Sequence, residues 1–131
     1  MQDNSNDNGS YAIKDTPRSV YVKEQSAPED YRYVFVYTIT IENVGQVAAK
    51  LLSRRWVITD SNGKVEEVQG PGVVGEQPFL RPGEAYRYQS GAILQTTVGS
   101  MCGSYQMEAE DGHCFDAQIP AFTLSGPRVL H

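Results

Sequence analysis

From Tyr31 to Asn43 the chain alternates so strictly that few folds can use it. Tyr33, Phe35, Tyr37, Ile39 and Ile41 share one parity, while Arg32, Thr38, Thr40 and Glu42 hold the other. Successive side chains of a strand point to opposite faces, so this segment predicts a strand of an antiparallel sheet with one buried and one wetted side. The rest of the chain falls in with it. Ser19 to Gln25 is short, rich in Val and Tyr, and broken by Ser26-Ala27-Pro28-Glu29-Asp30. After a turn at Asn43-Val44-Gly45, the run from Ala48 to Thr59 carries Trp56 and Ile58 on one face, and Asp60-Ser61-Asn62-Gly63 predicts a hairpin into Lys64 to Val68. Arg81-Pro82-Gly83-Glu84 turns the chain into a strand bearing Tyr86 and Tyr88. Ala92 to Thr97 reads as a short strand or an irregular crossing. A last hairpin about Asp111-Gly112-His113 joins Ser100 to Glu108 with Cys114 to Ile119, and the chain stays extended through Pro120 to Leu124.

Seven or so short strands with turn chemistry between them predict an all-β fold, an antiparallel β-sandwich of the immunoglobulin or fibronectin type III kind, with a small barrel as the alternative. Trp56 is expected between the two sheets, in one core with Phe35, Tyr37, Ile39, Ile58, Tyr105, Met107, Phe115 and Ile119. The 131 residues suit a single domain. Met1 to Ser10 is rich in Asp, Asn, Ser and Gly with no apolar residue after Met1, so nothing there offsets the entropy of ordering it. We expect a disordered tail over residues 1–15 and the domain over 16–131.

A formal charge of -5 disfavours direct nucleic-acid binding, which runs on clustered Lys and Arg. Arg54 and Arg55 are adjacent, so on a strand they point to opposite faces and only one can serve a given surface. The sequence shows no signal peptide and no apolar run long enough to cross a bilayer, so a cytoplasmic protein without membrane insertion is expected. Placing Met107 and Ala117 on the same buried face sets Tyr105 opposite Ile119 and Cys114 opposite Glu110, which leaves Cys102 about 26 Å along the strand from the partner of Cys114. Two free thiols follow.

Catalysis finds little to work with. The histidines are His113, in a turn, and His131, the last residue. Acidic pairs such as Glu66-Glu67 read as solvated surface, and no Cys, His or carboxylate spacing marks a metal or cofactor site. The one motif with chemical associations is Gly70-Pro71-Gly72-Val73-Val74-Gly75-Glu76-Gln77-Pro78. Its glycines have the spacing of a phosphate-cradling loop, but Pro78 and Pro82 follow at once, and Ser90 stands where a ribose-binding acid belongs. Glycines at Gly70, Gly72 and Gly75 could still aim backbone amides at a phosphate, pyrophosphate or nucleotide, with Arg81 as the one nearby cation. The plainer reading, a glycine-shaped connection between strands, is favoured because no lysine adjoins the loop. Val73 and Val74, read as exposed, could meet a partner protein there.

Taken together, Arg54-Arg55-Trp56-Val57-Ile58-Thr59-Asp60, the segment Glu67 to Pro78, Leu80-Arg81-Pro82-Gly83-Glu84, Tyr88-Gln89-Ser90-Gly91, Gly99 to Tyr105 and Ile119 to Leu124 resemble the ApaG family, also called CorD, over about Val20 to Pro127. The resemblance implies a fibronectin-III-like sandwich. It implies association with cobalt tolerance and magnesium efflux in bacteria, and a gene neighbourhood shared with a diadenosine tetraphosphate hydrolase. In eukaryotes a similar domain is appended to F-box proteins and to a DNA-polymerase-delta-interacting protein, which suits an interaction module. No catalytic residue is carried over, and Gly70, Gly72 and Gly75 inherit a phosphate-site role. The expectation is therefore a non-catalytic binding module with another protein as partner, no cofactor and no metal. The alternatives are a small phosphorylated ligand on the glycine loop or, further off, hydrolysis of a dinucleoside polyphosphate.

Overall fold

The computed structural model describes residues 9–127. Eight strands follow one another: β1 (Ile13–Tyr21), β2 (Tyr33–Asn43), β3 (Ala49–Asp60), β4 (Val65–Pro71), β5 (Phe79–Leu80), β6 (Ala85–Leu94), β7 (Val98–Ala109) and β8 (Cys114–Ser125). Two short 3-10 turns, Lys23–Gln25 and Pro28–Asp30, lie between β1 and β2. One sheet has the order β1-β2-β6. The other has the order β4-β3-β7-β8, with β5 also paired to β3, and every pairing is antiparallel. This is the sandwich of immunoglobulin and fibronectin type III kind that the alternation called for.

The inner faces meet in a single core. Phe35, Tyr37, Ile39 and Ile41 from β2 pack with Leu51 and Trp56 from β3, Tyr88 from β6, Met101, Tyr105 and Met107 from β7, and Ile119 from β8. Ile58 and Phe115, expected to contribute to this core, are partly buried and packed against it. The Trp56 ring stands edge-on to Tyr37 at 5.5 Å, Phe122 at 6.0 Å and Tyr105 at 6.3 Å, so one side chain contacts rings from both sheets. Edge-to-face contact of this kind places the positive rim of one ring over the negative face of another.

Three sequence expectations need correction. The tail expected over 1–15 falls largely on residues 1–8, outside the described ones, and its last residues are strand: Ile13, Lys14 and Asp15 pair with Asn43, Glu42 and Ile41. The inward positions of β1 are Ile13, Asp15, Pro17, Ser19 and Tyr21. With an acid, a proline and a serine facing the core, no apolar alternation announces this strand. The run Ser19 to Gln25 is correspondingly the end of β1 and a 3-10 turn. The final hairpin pairs Cys114 with Glu108 and Tyr105 with Ala117, two residues out of the expected register. Its turn is wider, closed by Ala109 N–H to the His113 carbonyl at 2.7 Å. A shift of two keeps every side chain on its face, so the core is unaffected. Both thiols are free, with Cys102 about 20 Å along β7 from the partner of Cys114.

Candidate functional site

The glycine segment leaves the end of β4 and folds back on β3. Gly70 sits opposite Arg54 and Pro71 opposite Ser53. A register shift between Leu51 and Ser53 marks an irregularity in β3 at this level. The Leu52 carbonyl accepts from Gly72 N–H at 2.8 Å and from the Gln77 side-chain amide at 2.9 Å. Leu51 N–H donates to the Pro78 carbonyl at 2.9 Å. Both limbs of the segment are thus tied to β3.

Between those anchors the chain makes a tight hairpin. Val73 N–H donates to the Glu76 carbonyl at 2.8 Å, and Glu76 N–H returns to the Val73 carbonyl at 3.0 Å. The two central residues, Val74 and Gly75, have φ of 47° and 81°. Positive φ at both is the mark of a type I′ turn.

Each glycine has its own steric reason. A Cβ at Gly70 would stand 2.9 Å from Arg54 Nη1, so the missing side chain is what lets the guanidinium lie across β4. Gly72 has φ of 58°, and a Cβ there would run into the Glu76 carbonyl. Gly75 faces open space and is needed only for its φ. The phosphate-like spacing therefore coincides with two separate packing demands and one purely conformational one.

The amides that a phosphate would need are largely committed, since Gly72, Val73 and Glu76 donate to backbone carbonyls. Arg81 is not at the loop. It follows the β5 residues that pair with Lys50 and Ala49, on the order of 17 Å along β3 from Ser53. There it lies over the Phe79 ring and 3.8 Å from the Glu84 carboxylate. The loop's actual cation is Arg54, whose Nη1 donates to the carbonyls of Pro71 at 2.9 Å and Gly72 at 3.0 Å. Its neighbour Arg55 points the other way and pairs with Glu67 at 2.6 Å. Sequence reading missed Arg54 here, although the register of the Asp60 to Gly63 hairpin, carried back six residues, would have placed it opposite Gly70.

The two valines separate. Val73 is 0% exposed and belongs to the core, which corrects the expectation that it meets a partner, whereas Val74 is 61% exposed at the hairpin tip. Inward and outward residues alternate in a hairpin as they do in any strand pair.

A second grouping of titratable side chains lies inside the sandwich. Tyr88 and Tyr105 bring their hydroxyls within 2.6 Å of each other. Burial raises the pKa of both phenols, and the charge of Asp15 raises them further. Among the described residues neither Asp15 carboxylate oxygen has a hydrogen-bond partner, and burial pushes its pKa up to about 7. The Trp56 Nε1–H is likewise unpartnered. Among the described residues no three His, Cys, Asp or Glu side chains gather as they would around a metal ion, and no helix is long and apolar enough to cross a membrane.

A two-sheet sandwich with a glycine-shaped hairpin tied across β3 and β4 defines the class, and comparison with known proteins supplies the family. The family described as the ApaG domain matches residues 23–109. Curated relatives named "Protein ApaG" from Azoarcus sp. (strain BH72) and from Thiobacillus denitrificans are each 64% identical over 121 residues, 92% of this chain and 95% of theirs. The crystal structure of an ApaA protein from Bordetella pertussis superposes with a TM-score of 0.88 at 44% identity, covering 92% of this chain and 98% of that one. A protein from Archaeoglobus fulgidus shares the fold alone, with a TM-score of 0.51 at 10% identity. This chain belongs to the ApaG family. The names of these ApaG relatives carry no enzymatic activity.

Proposed function

We propose that this protein is a non-catalytic binding module that docks on another protein through the tip of the Val73–Glu76 hairpin between β4 and β5, with Val74 as the contact. The observation that carries this is Val74 itself, a β-branched residue at φ 47° with 61% of its surface in solvent. Left-handed backbone is a costly place for a branched side chain, and an Asn or Gly there would relieve it. Strain of this sort collects at binding and catalytic sites, because a tightly held surround is needed to maintain it. Here the surround is the pair of hydrogen bonds closing the turn and the anchors to Leu51 and Leu52. The result is an apolar knob on a preorganised support, which binds at a lower entropic cost than a mobile loop does.

The competing readings have less behind them. A phosphate on the glycine loop would have to bind with three of the loop amides already donated and with Arg81 far along β3. Hydrolysis of a dinucleoside polyphosphate would need a positioned base or metal beside a phosphate site, and the loop offers a single exposed carboxylate, Glu76, while Arg54 and Gln77 are engaged in holding backbone. The cobalt tolerance and magnesium efflux implied by the family resemblance fit an indirect role, exerted through the bound partner and not by carrying metal.

A photo-reactive residue placed at position 74 in living cells tests the proposal. One defined protein adduct, absent when the same residue is placed at exposed Asn62 in the turn at the other end of β4, is the expected result, and binding of that purified partner should fall on Val74→Asp. Adducts no different from those at Asn62 would refute it.

A further inference from the structure

The arginines of this acidic chain are not used alike. Among the described residues Arg32 donates to the Gln25 carbonyl, Arg54 to the carbonyls of Pro71 and Gly72, Arg55 to Glu67, and Arg81 lies beside Glu84. Among the same described residues Arg18 and Arg87 hold neither a carboxylate nor a carbonyl, yet both line the same concavity, of about 260 Å³, together with Thr16, Thr38 and Thr40. In a chain with 16 acidic side chains against 11 Lys and Arg, two arginines here face one hollow.

Strand register explains the hollow. Thr16 sits opposite Thr40 and Arg18 opposite Thr38 across β1 and β2, and Thr40 sits opposite Arg87 across β2 and β6. All five lie on the outer face of this sheet, since the alternate residues Phe35, Tyr37, Ile39 and Ile41 of β2 are in the core. Short hydroxyl side chains form the floor and two long guanidinium side chains the walls. Their Cα atoms are roughly 12 Å apart by the sheet spacings, so both can converge on one group between them. The same face carries Lys14 and one carboxylate, Glu42, which sits opposite Lys14 at the end of the sheet and away from the hollow.

We infer that the outer face of the β1-β2-β6 sheet binds the phosphoryl group of a small soluble ligand, with Arg18 and Arg87 as charged donors and the hydroxyls of Thr16, Thr38 and Thr40 as neutral ones. Guanidinium groups meet phosphoryl oxygens with paired, charge-assisted hydrogen bonds, and two of them match a dianion better than a single carboxylate. The volume lies just under the usual range for small-ligand sites, which suits one or two phosphoryl groups and leaves no room for a large organic part. This site is separate from the Val74 hairpin, and the failure of either proposal leaves the other standing.

The test is titration of the full chain with pyrophosphate while backbone amide shifts are followed, beside sodium chloride at matched ionic strength and a phosphoserine peptide. Saturable shifts at Thr16, Arg18, Thr38, Thr40 and Arg87 are expected with pyrophosphate. Arg18→Gln and Arg87→Gln should each weaken binding about tenfold and the double variant abolish it, while Arg81→Gln leaves it unchanged. Glutamine is an exposed, strand-compatible replacement at both positions, and a dispersed spectrum confirms that each variant is folded. Shifts that sodium chloride reproduces, that persist in the double variant or that do not saturate would overturn the site. Tighter binding of the phosphoserine peptide than of pyrophosphate would overturn the assignment to a small soluble ligand.

Discussion

Asp15 and Val74 are the two residues whose individual chemistry says most about how the protein is built. Asp15 faces inward from an edge strand with both oxygens unpartnered among the described residues, and its pKa is raised from 3.8 to about 7 by burial. A carboxyl whose folded pKa lies above its unfolded one favours the folded state when protonated. Stability is then full below about pH 4, falls as the pH rises toward 7, and levels off above it. Replacing Asp15 by its neutral isostere removes that loss, so Asp15→Asn should melt higher than the natural protein by a margin that grows between pH 4 and 7. Parallel melting temperatures across that range would show that the carboxyl is not desolvated. Val74 carries a different kind of cost, set by backbone geometry and independent of pH.

The hairpin between β4 and β5 shows how one motif divides into separate local causes. Gly72 combines a φ of 58° with the close Glu76 carbonyl, whereas Gly75 has only its φ of 81°. Alanine should therefore cost more at Gly72, about 2–4 kcal/mol, than at Gly75, about 1 kcal/mol, in urea unfolding. Equal costs would mean that the carbonyl contact does not constrain the turn. Much at this scale was legible beforehand. The alternation of Tyr33 to Ile41 fixes β2 and its buried face, and Asp60-Ser61-Asn62-Gly63 fixes the β3–β4 hairpin. β1 was illegible at its start because Asp15 and Pro17 occupy inward positions. The hairpin tip was half legible: its glycines announce a turn, but which valine faces the core depends on cross-strand pairing with β3, which local pattern does not carry. The same long-range pairing hides the Arg18 and Arg87 hollow, since its residues come from three strands spread over more than half the chain.

At the scale of the whole molecule, stability rests on the contact between sheets, and function on what the sandwich leaves outside. Trp56, with 1% of its surface exposed, touches rings from both sheets, and Trp56→Ala should cost about 3–5 kcal/mol through the cavity it leaves. A loss below 1 kcal/mol in urea unfolding would mean that the sheets are held chiefly by other contacts. The fold itself prescribes no activity, since sandwiches of this kind serve many functions. The assignment of function depends on whether the strained knob at the hairpin tip is kept for contact.

Val74→Asn puts that question directly. Asparagine tolerates left-handed backbone, and Asn-Gly is the favoured central pair of a type I′ turn. If Val74 is retained for contact at the expense of the fold, the variant should unfold at higher denaturant, more stable by about 0.5–1.5 kcal/mol, while its binding to the partner captured at position 74 falls at least tenfold. A variant that is no more stable than the natural protein, or one that binds the partner undiminished, would contradict the account.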